Sequence, residues 1–303
     1  MWVKEGQKIV ADVESVQGRI ELGLLKLKSL IYPRIVLSSR TDGGVHALST
    51  VAHFDLERYG TNFFDPHYIT YALNKFFFET ESSIYVKNCL RTADNFNARF
   101  HAISRTYLYR FAVLKPNINL PENESIASYI PIEEWKRCYF TRLQNFDIEK
   151  FKEGAKYFVG YHDFTTFRRF DKQKQHKHNR RQITAIEVRP GAPLITSYSH
   201  ANYSSQSPLY NRHYDVFNYW EIQFKGRGYV HNQIRRMVAT LLSVAVGKLP
   251  VEEIKVMLQI PSKHSWHSCI QTCPSDGLYL CEVEYNPEDV IYKSETSEVE
   301  VNE

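Results

Sequence analysis

Apolar residues recur at helical spacing across residues 16–30, at Val16, Ile20, Leu24, Leu27 and Leu30, with Ser15 placed to cap the first turn. The apolar run Ile35-Val36-Leu37 then reads as a buried strand, and it stops at a polar turn, Ser38 to Val45. A second strand is predicted over 48–56. Asp65-Pro66 opens another helix, with a capping carboxylate before proline at the first helical position, and Ile69, Leu73, Phe76 and Phe77 form its apolar face. Residues 84–90 read as a further strand. Between 107 and 113 the period is two: Tyr107, Tyr109, Phe111 and Val113 share one face, while Leu108 and Arg110 take the other. Pro116, Pro121 and Pro131 mark 115–135 as loop-like and as a change of domain or an insertion.

The second half repeats the rhythm. A helix from about Asp147 buries Ile148, Phe151, Ala155 and Phe158 and ends near Gly160, and strands follow over 183–188 and 217–224. A polar loop, 197–207, separates those two strands. A long helix over 231–246 carries Ile234, Val238, Leu241 and Ala245 on one side, with Gly247 after it; a short helix (250–258) and a last strand (277–285) complete the chain. Helix-strand-strand-helix-strand, met twice, is not the alternation of a parallel sheet. It predicts an α+β fold with antiparallel sheets and helices on one side.

Composition changes this picture little. The 303 residues are 43% hydrophobic and 24% charged, as in a soluble globular protein of one large or two smaller domains. Aromatics are abundant at 14%, and the formal charge of +4 permits an anionic partner without demanding one. Five scattered cysteines (Cys89, Cys138, Cys269, Cys273, Cys281) predict free thiols in a reducing intracellular compartment, mitochondrial or cytoplasmic. No apolar run reaches the length of a membrane span, so no membrane association is expected. His162, His176 and His178 lack partners at metal-ligand spacing, so no metal site is expected.

Chemistry gathers at four places. Arg40-Thr41-Asp42-Gly43-Gly44-Val45-His46-Ala47 offers a carboxylate at a strand end, beside two glycines that let a flat ligand or a backbone approach. Taken alone it reads first as an Asp-Gly turn. The others are the aromatic strand with Arg105 and Tyr107, the segment Gly226 to Met237 with Tyr229 and Arg235, and Gly277-Leu278-Tyr279-Leu280. Arg168, Arg169, Lys172, Lys174, Lys177, Arg180 and Arg181 form a basic run that reads as a solvated loop or, with a nucleic acid present, as phosphate contacts.

Together these motifs resemble the TruA family of tRNA pseudouridine synthases, most closely its eukaryotic pseudouridine-synthase-like branch. The catalytic loop is matched by Arg40 to Ala47, the Phe-x-Ala-Arg-Phe segment by Phe96 to Phe100, and the Arg-x-Tyr-x-Tyr strand by Arg105 to Tyr109. The aromatic-led helix is matched by Tyr229 to Arg235, and the closing Gly-Leu-Tyr-Leu by Gly277 to Leu280. The resemblance implies the pseudouridine synthase fold: two related, ferredoxin-like halves flanking a central cleft, an N-terminal one over 1–113 and a C-terminal one over 114–286, then an acidic, disordered tail over 287–303.

It also implies isomerisation of uridine in tRNA, or in another structured RNA, without metal or organic cofactor, by an enzyme of a type that can form homodimers. Asp42 would be the nucleophile and Arg235 its ion-pair partner, since an arginine within about 4–6 Å favours the anionic carboxylate. Tyr107 would stack on the base and take part in proton removal from its carbon. Arg40, Arg99, Arg105, Tyr229, Arg168, Arg169, Arg180 and Arg181 would contact RNA. Three departures stand out. Gly43 replaces the usual alanine, Asn97 stands where histidine is common, and the family's opening strand has no visible counterpart in residues 1–15. Two rival readings are an inactive RNA-binding scaffold and a glycosidase, the latter lacking a second carboxylate beside the motifs.

Overall fold

The computed structural model describes residues 4–5, 8–9, 12–60, 63–120, 124–169, 178–194 and 216–292. Its strands are β1 (Lys4–Glu5), β2 (Lys8–Ile9), β3 (Val36–Leu37), β4 (His46–Ala47), β5 (Ala52–His53), β6 (Ser104–Leu114), β7 (Tyr139–Thr141), β8 (Gly160–Asp163), β9 (Arg180–Pro190), β10 (Phe217–Gly226) and β11 (Leu278–Glu284). The helices are α1 (Val16–Leu25), α2 (Pro66–Glu79), α3 (Ile148–Lys156), α4 (Gln233–Ala245), α5 (Glu253–Gln259) and α6 (Pro287–Val290). This is the expected α+β organisation. Among the described residues, no helix is long and apolar enough to cross a membrane.

The chain's contacts group it into two units that do not follow the expected division at 113/114. One unit takes 1–40, 50–103 and 284–303; the other takes 41–49 and 104–283. The catalytic-loop motif and the Tyr107 strand, both assigned by sequence to the N-terminal half, fall in the second unit because both pair into its sheet.

In the first unit α1 and α2 bury Leu24, Ile69, Leu73 and Phe77 with Ile35. Ser15 and Asp65 cap the two helices by accepting from Gly18 N and His67 N. α1 ends five residues earlier than the periodicity predicts, since Lys28 takes left-handed backbone (φ 56°) that a helix cannot continue through. β3 pairs antiparallel with β5, and β1 pairs antiparallel with β2. The strand predicted over 84–90 is not in a sheet. Asn74 of α2 instead donates to Val86 O (2.9 Å) and accepts from Val86 N (2.8 Å), satisfying the backbone groups a ladder would have used. The expected tail starts with ordered structure, because α6 is capped by Asn286 and the Tyr292 ring lies under Arg91 at 3.8 Å. Residues 294–303, the 197–207 loop, His176, Lys172, Lys174 and Lys177 lie outside the described residues.

The second unit is built on a seven-stranded sheet ordered β4-β11-β6-β10-β9-β8, with β7 also pairing with β6. β6/β10, β10/β9 and β8/β9 are antiparallel, whereas β11/β4 and β6/β7 are parallel. The period of two in β6 is realised, but both of its faces are covered. Tyr107, Tyr109, Phe111 and Val113 enter the main core with residues of α3, α4 and α5, while Ala112 and Leu114 join Phe140, Phe217 and Tyr219 in a second cluster. Arg110, on that second face, forms a buried bidentate pair with Glu134 (2.9 and 3.1 Å). Asp147 caps α3 through Glu149 N and Lys150 N.

Candidate active site

The turn carrying Asp42 is closed by Val45 N donating to Asp42 O at 3.1 Å. Its geometry depends on Gly44, whose φ of +79° favours glycine and whose absent Cβ would stand 2.6 Å from Ser275 Oγ. Gly43 has open space around its Cβ position. Immediately after the turn, β4 joins the sheet: His46 and Ala47 pair with Tyr279 and Leu280, and Leu48 N donates to Leu280 O at 2.8 Å. The His46 ring stacks on Tyr279 at 4.6 Å, and its Nε2 lies 2.8 Å from Lys136 O. The corner before β11 is equally tight, because a Cβ on Gly277 would meet Arg110 O at 2.3 Å. These ties explain why a glycine turn and a Gly-Leu-Tyr-Leu strand, 230 residues apart (roughly), act as one support.

Opposite the turn stands the start of α4. Every residue of this helix is buried except Arg235 and Arg236. Asn232 precedes it in left-handed backbone (φ 62°), and Gln233 Oε1 accepts from Val230 N at 2.8 Å, which fixes the approach. Arg235 is aimed by Nε donating to Cys273 O at 2.7 Å and by Nη1 donating to Asn232 Oδ1 at 3.3 Å. Held this way, Arg235 Nη1 lies 4.0 Å from Asp42 Oδ2. His231 Nε2 lies 3.2 Å from the other oxygen, Oδ1. Asp42 keeps 38% of its side-chain surface exposed, against 18% for Arg235, so the carboxylate remains open to a ligand while its cation is shielded.

Tyr107 is buried and meets Tyr229 edge to face at 5.1 Å. Tyr229 is two residues before His231, and its hydroxyl donates to Arg105 O at 3.4 Å. Burial, reinforced by Tyr107 and opposed by Arg105, pushes the Tyr229 hydroxyl well above its usual range, so it stays a neutral phenol. Arg105, expected on the RNA surface, is 9% exposed and donates through Nη1 to Arg227 O, bracing the loop that leads to α4.

The described part of the basic run lies next to this segment. Arg169 N donates to His231 O at 3.0 Å, and Arg236 Nη1 reaches the carbonyls of Thr166 and Arg168. Burial, then Arg169, lowers the Arg236 pKa, and the Arg236 guanidinium lies 4.3 Å from the centre of the Trp266 ring. Arg169 and Arg180 are exposed, whereas Arg168 and Arg181 are half-buried, with Arg168 donating to Asn179 Oδ1 at 3.2 Å.

Arg40 and Arg99 are exposed and belong to the first unit. There Asn97 Oδ1 accepts from Arg99 N and Phe100 N, which gives the departure from histidine a turn-forming role. Among the described residues, no group of three or more His, Cys, Asp or Glu is arranged to hold a metal ion. The five cysteines are free thiols.

The structure therefore brings Asp42 and Arg235 together and sets Tyr107 against Tyr229. The residue missed by sequence reading is His231. Its signal was present: it stands four positions before Arg235, the spacing at which side chains near a helix start share a side.

A family profile described as tRNA pseudouridine synthase matches residues 155–286. The human protein "tRNA pseudouridine synthase-like 1" is 30% identical over 273 residues, covering 89% of this chain and 81% of that protein. Proteins named "tRNA pseudouridine synthase A" are 30% identical in Dinoroseobacter shibae (91% of this chain, 88% of that one) and 31% identical in Streptococcus equi (91% of each). The chain belongs to the TruA-type tRNA pseudouridine synthases, a family of isomerases.

Proposed function

We propose that this tRNA pseudouridine synthase uses Asp42 as its nucleophile, with Arg235 as the fixed cation beside it and Tyr107 as the aromatic wall of the base site. The observation that carries the assignment is the half-exposed Asp42 carboxylate, flanked at 4.0 Å by an arginine whose other contacts leave it no freedom to turn away. A carboxylate can form and later release a covalent bond to the substrate. The substrate is a uridine in tRNA. Its C1′–N1 bond breaks, a C1′–C5 bond forms, the C5 proton leaves and N1 gains one, so the product is an isomer and no external co-reactant is consumed.

The roles of the neighbours follow from what each can supply. Arg235 sets a planar cation beside the carboxylate and orients it. Tyr107, flat and backed by Tyr229, tolerates a base that detaches and turns before it rejoins. A uridine must leave its stack to reach this carboxylate. Arg169, exposed on the segment that holds the His231 carbonyl, and the exposed Arg180, Arg40 and Arg99 are assigned to tRNA phosphates. The inactive scaffold is not favoured, given the family match.

The test is incubation with an unmodified tRNA transcript, followed by chemical mapping of pseudouridine. Formation by the wild-type chain and loss in Asp42→Ala, with tRNA binding retained, is the expected outcome. Full activity in Asp42→Ala would remove Asp42 from the mechanism. Absence of product from a folded wild-type chain on a complete set of tRNA transcripts would favour the scaffold.

A further inference from the structure

His46 comes four residues after Asp42, where the glycine turn becomes β4, and its ring is tied on two sides. It stacks on Tyr279 of β11 with centroids 4.6 Å apart and planes 20° from parallel, and its Nε2 lies 2.8 Å from Lys136 O. A carbonyl oxygen only accepts, so Nε2 carries the hydrogen of that bond. The Tyr279 hydroxyl donates to the next carbonyl, Arg137 O, at 2.6 Å. Two stacked rings thus set their polar edges on successive carbonyls of one turn, 134–137, and all of these residues belong to the second unit.

The 134–137 turn is itself held. Arg137 N donates to Glu134 O at 2.9 Å, Glu134 is paired with Arg110 of β6, and Arg110 Nη1 also donates to Arg137 O at 3.2 Å. Lys136 takes left-handed backbone (φ 59°), unfavourable for a lysine, at the residue whose carbonyl meets His46. The catalytic turn has less to fix it. Gly43 and Gly44 offer no side chain, and the bond from Val45 N to Asp42 O closes the turn only on itself. The first side chain beyond Asp42 that hydrogen-bonds to a distant segment is His46.

We infer that His46 is a positioning residue for the reaction: its Nε2–H on Lys136 O and its stack on Tyr279 anchor the catalytic turn to the 134–137 turn, and so fix where the Asp42 carboxylate stands. The inference rests on Asp42 being the nucleophile. His46 acts through the backbone that joins it to Asp42. Losing the anchor lets that backbone shift, and a misplacement of about 1 Å can cost on the order of 100-fold in rate. Binding of tRNA, made by other residues, does not depend on it.

The experiment measures single-turnover pseudouridine formation on an unmodified tRNA transcript over a range of enzyme concentrations, which separates the rate at saturation from the affinity for tRNA. The chains compared are wild type, His46→Ala, His46→Phe, His46→Gln and Asp42→Ala, each with its melting temperature. Phe keeps a ring for the stack and loses the donor, whereas Gln carries an amide N–H about as far from the backbone as Nε2. His46→Ala should be slower at saturation by roughly 10–100-fold, with tRNA affinity close to wild type. His46→Phe should stay slow, and His46→Gln should recover most of the lost rate. Asp147→Ala, which loses the cap of α3, should lower the melting temperature and keep the saturated rate, so general destabilisation is told apart from a displaced Asp42.

A wild-type saturated rate in His46→Ala or in His46→Phe would overturn the inference. So would a loss carried entirely by weaker tRNA binding, or a Gln variant no faster than the Ala one. Should His46→Ala not fold, the comparison of His46→Gln with His46→Phe decides alone. Activity in Asp42→Ala would instead defeat the nucleophile assignment. An inactive Asp42→Ala beside an unaltered His46→Ala defeats only the role of His46.

Discussion

Gly43 and Gly44 are adjacent and alike in sequence, yet their surroundings give opposite expectations. Gly44 needs its positive φ, and a methyl there would press on Ser275. Gly44→Ala should therefore destabilise the chain by about 1–3 kcal/mol and displace Asp42, read as a lower melting temperature together with lost pseudouridine formation. Gly43 has an ordinary φ and open space, so Gly43→Ala should stabilise by about 0.4–1 kcal/mol through the unfolded chain, read by denaturant unfolding, with activity kept. Arg235→Lys should lower kcat with little change in KM. A lysine keeps the charge but not the planar Nε–H that holds the Cys273 carbonyl, so orientation is lost while substrate binding is not.

At the scale of elements, helix caps and the period of β6 were plain in the sequence. Asp147 was placed at the start of its helix, and the structure has it accepting from two orphan N–H groups. Asp147→Ala should cost about 1 kcal/mol, measurable by urea unfolding, without altering the rate at saturating tRNA. The strand expected over 84–90 failed for a physical reason. Its β-branched residues have the right propensity, but its backbone partners are the side-chain amide of Asn74 rather than another strand, and propensity does not say which partner a backbone will find. Likewise Leu27 and Leu30 continue a helical spacing beyond the point where Lys28 has left helical backbone.

Across the whole molecule, the second unit's sheet is held to its insertion by the Arg110–Glu134 pair, which also engages Leu194 N and the Arg137 and Ala192 carbonyls. Burial alone would lower the Arg110 pKa, and Glu134 more than offsets this. Glu134→Ala should destabilise by about 3–5 kcal/mol, because it strips the bidentate anion from a buried guanidinium and leaves only Glu221 at 3.8 Å; differential scanning calorimetry would show it. Removing Arg169 and Arg180 together should reduce the slope of log affinity for tRNA against log salt by about 0.7–0.9 for each phosphate that is no longer neutralised. An unchanged slope would place the phosphates elsewhere.

By itself the sequence determined the α+β class, most helix positions, the alternation of β6 and, through short motifs in a fixed order, the family. These are properties of local spacing and residue type, which the chain carries without folding. It also singled out Asp42, but as a carboxylate in an ordinary glycine turn. Tertiary structure decided the rest: that β4 leaves that turn to pair with β11, that Arg105 is buried as a brace, and that Arg235 is aimed by a carbonyl from residue 273. It also decided that His231 meets the second oxygen of Asp42. Such placements depend on contacts between residues far apart in the chain, where a difference of a few ångströms separates a surface charge from an ion pair.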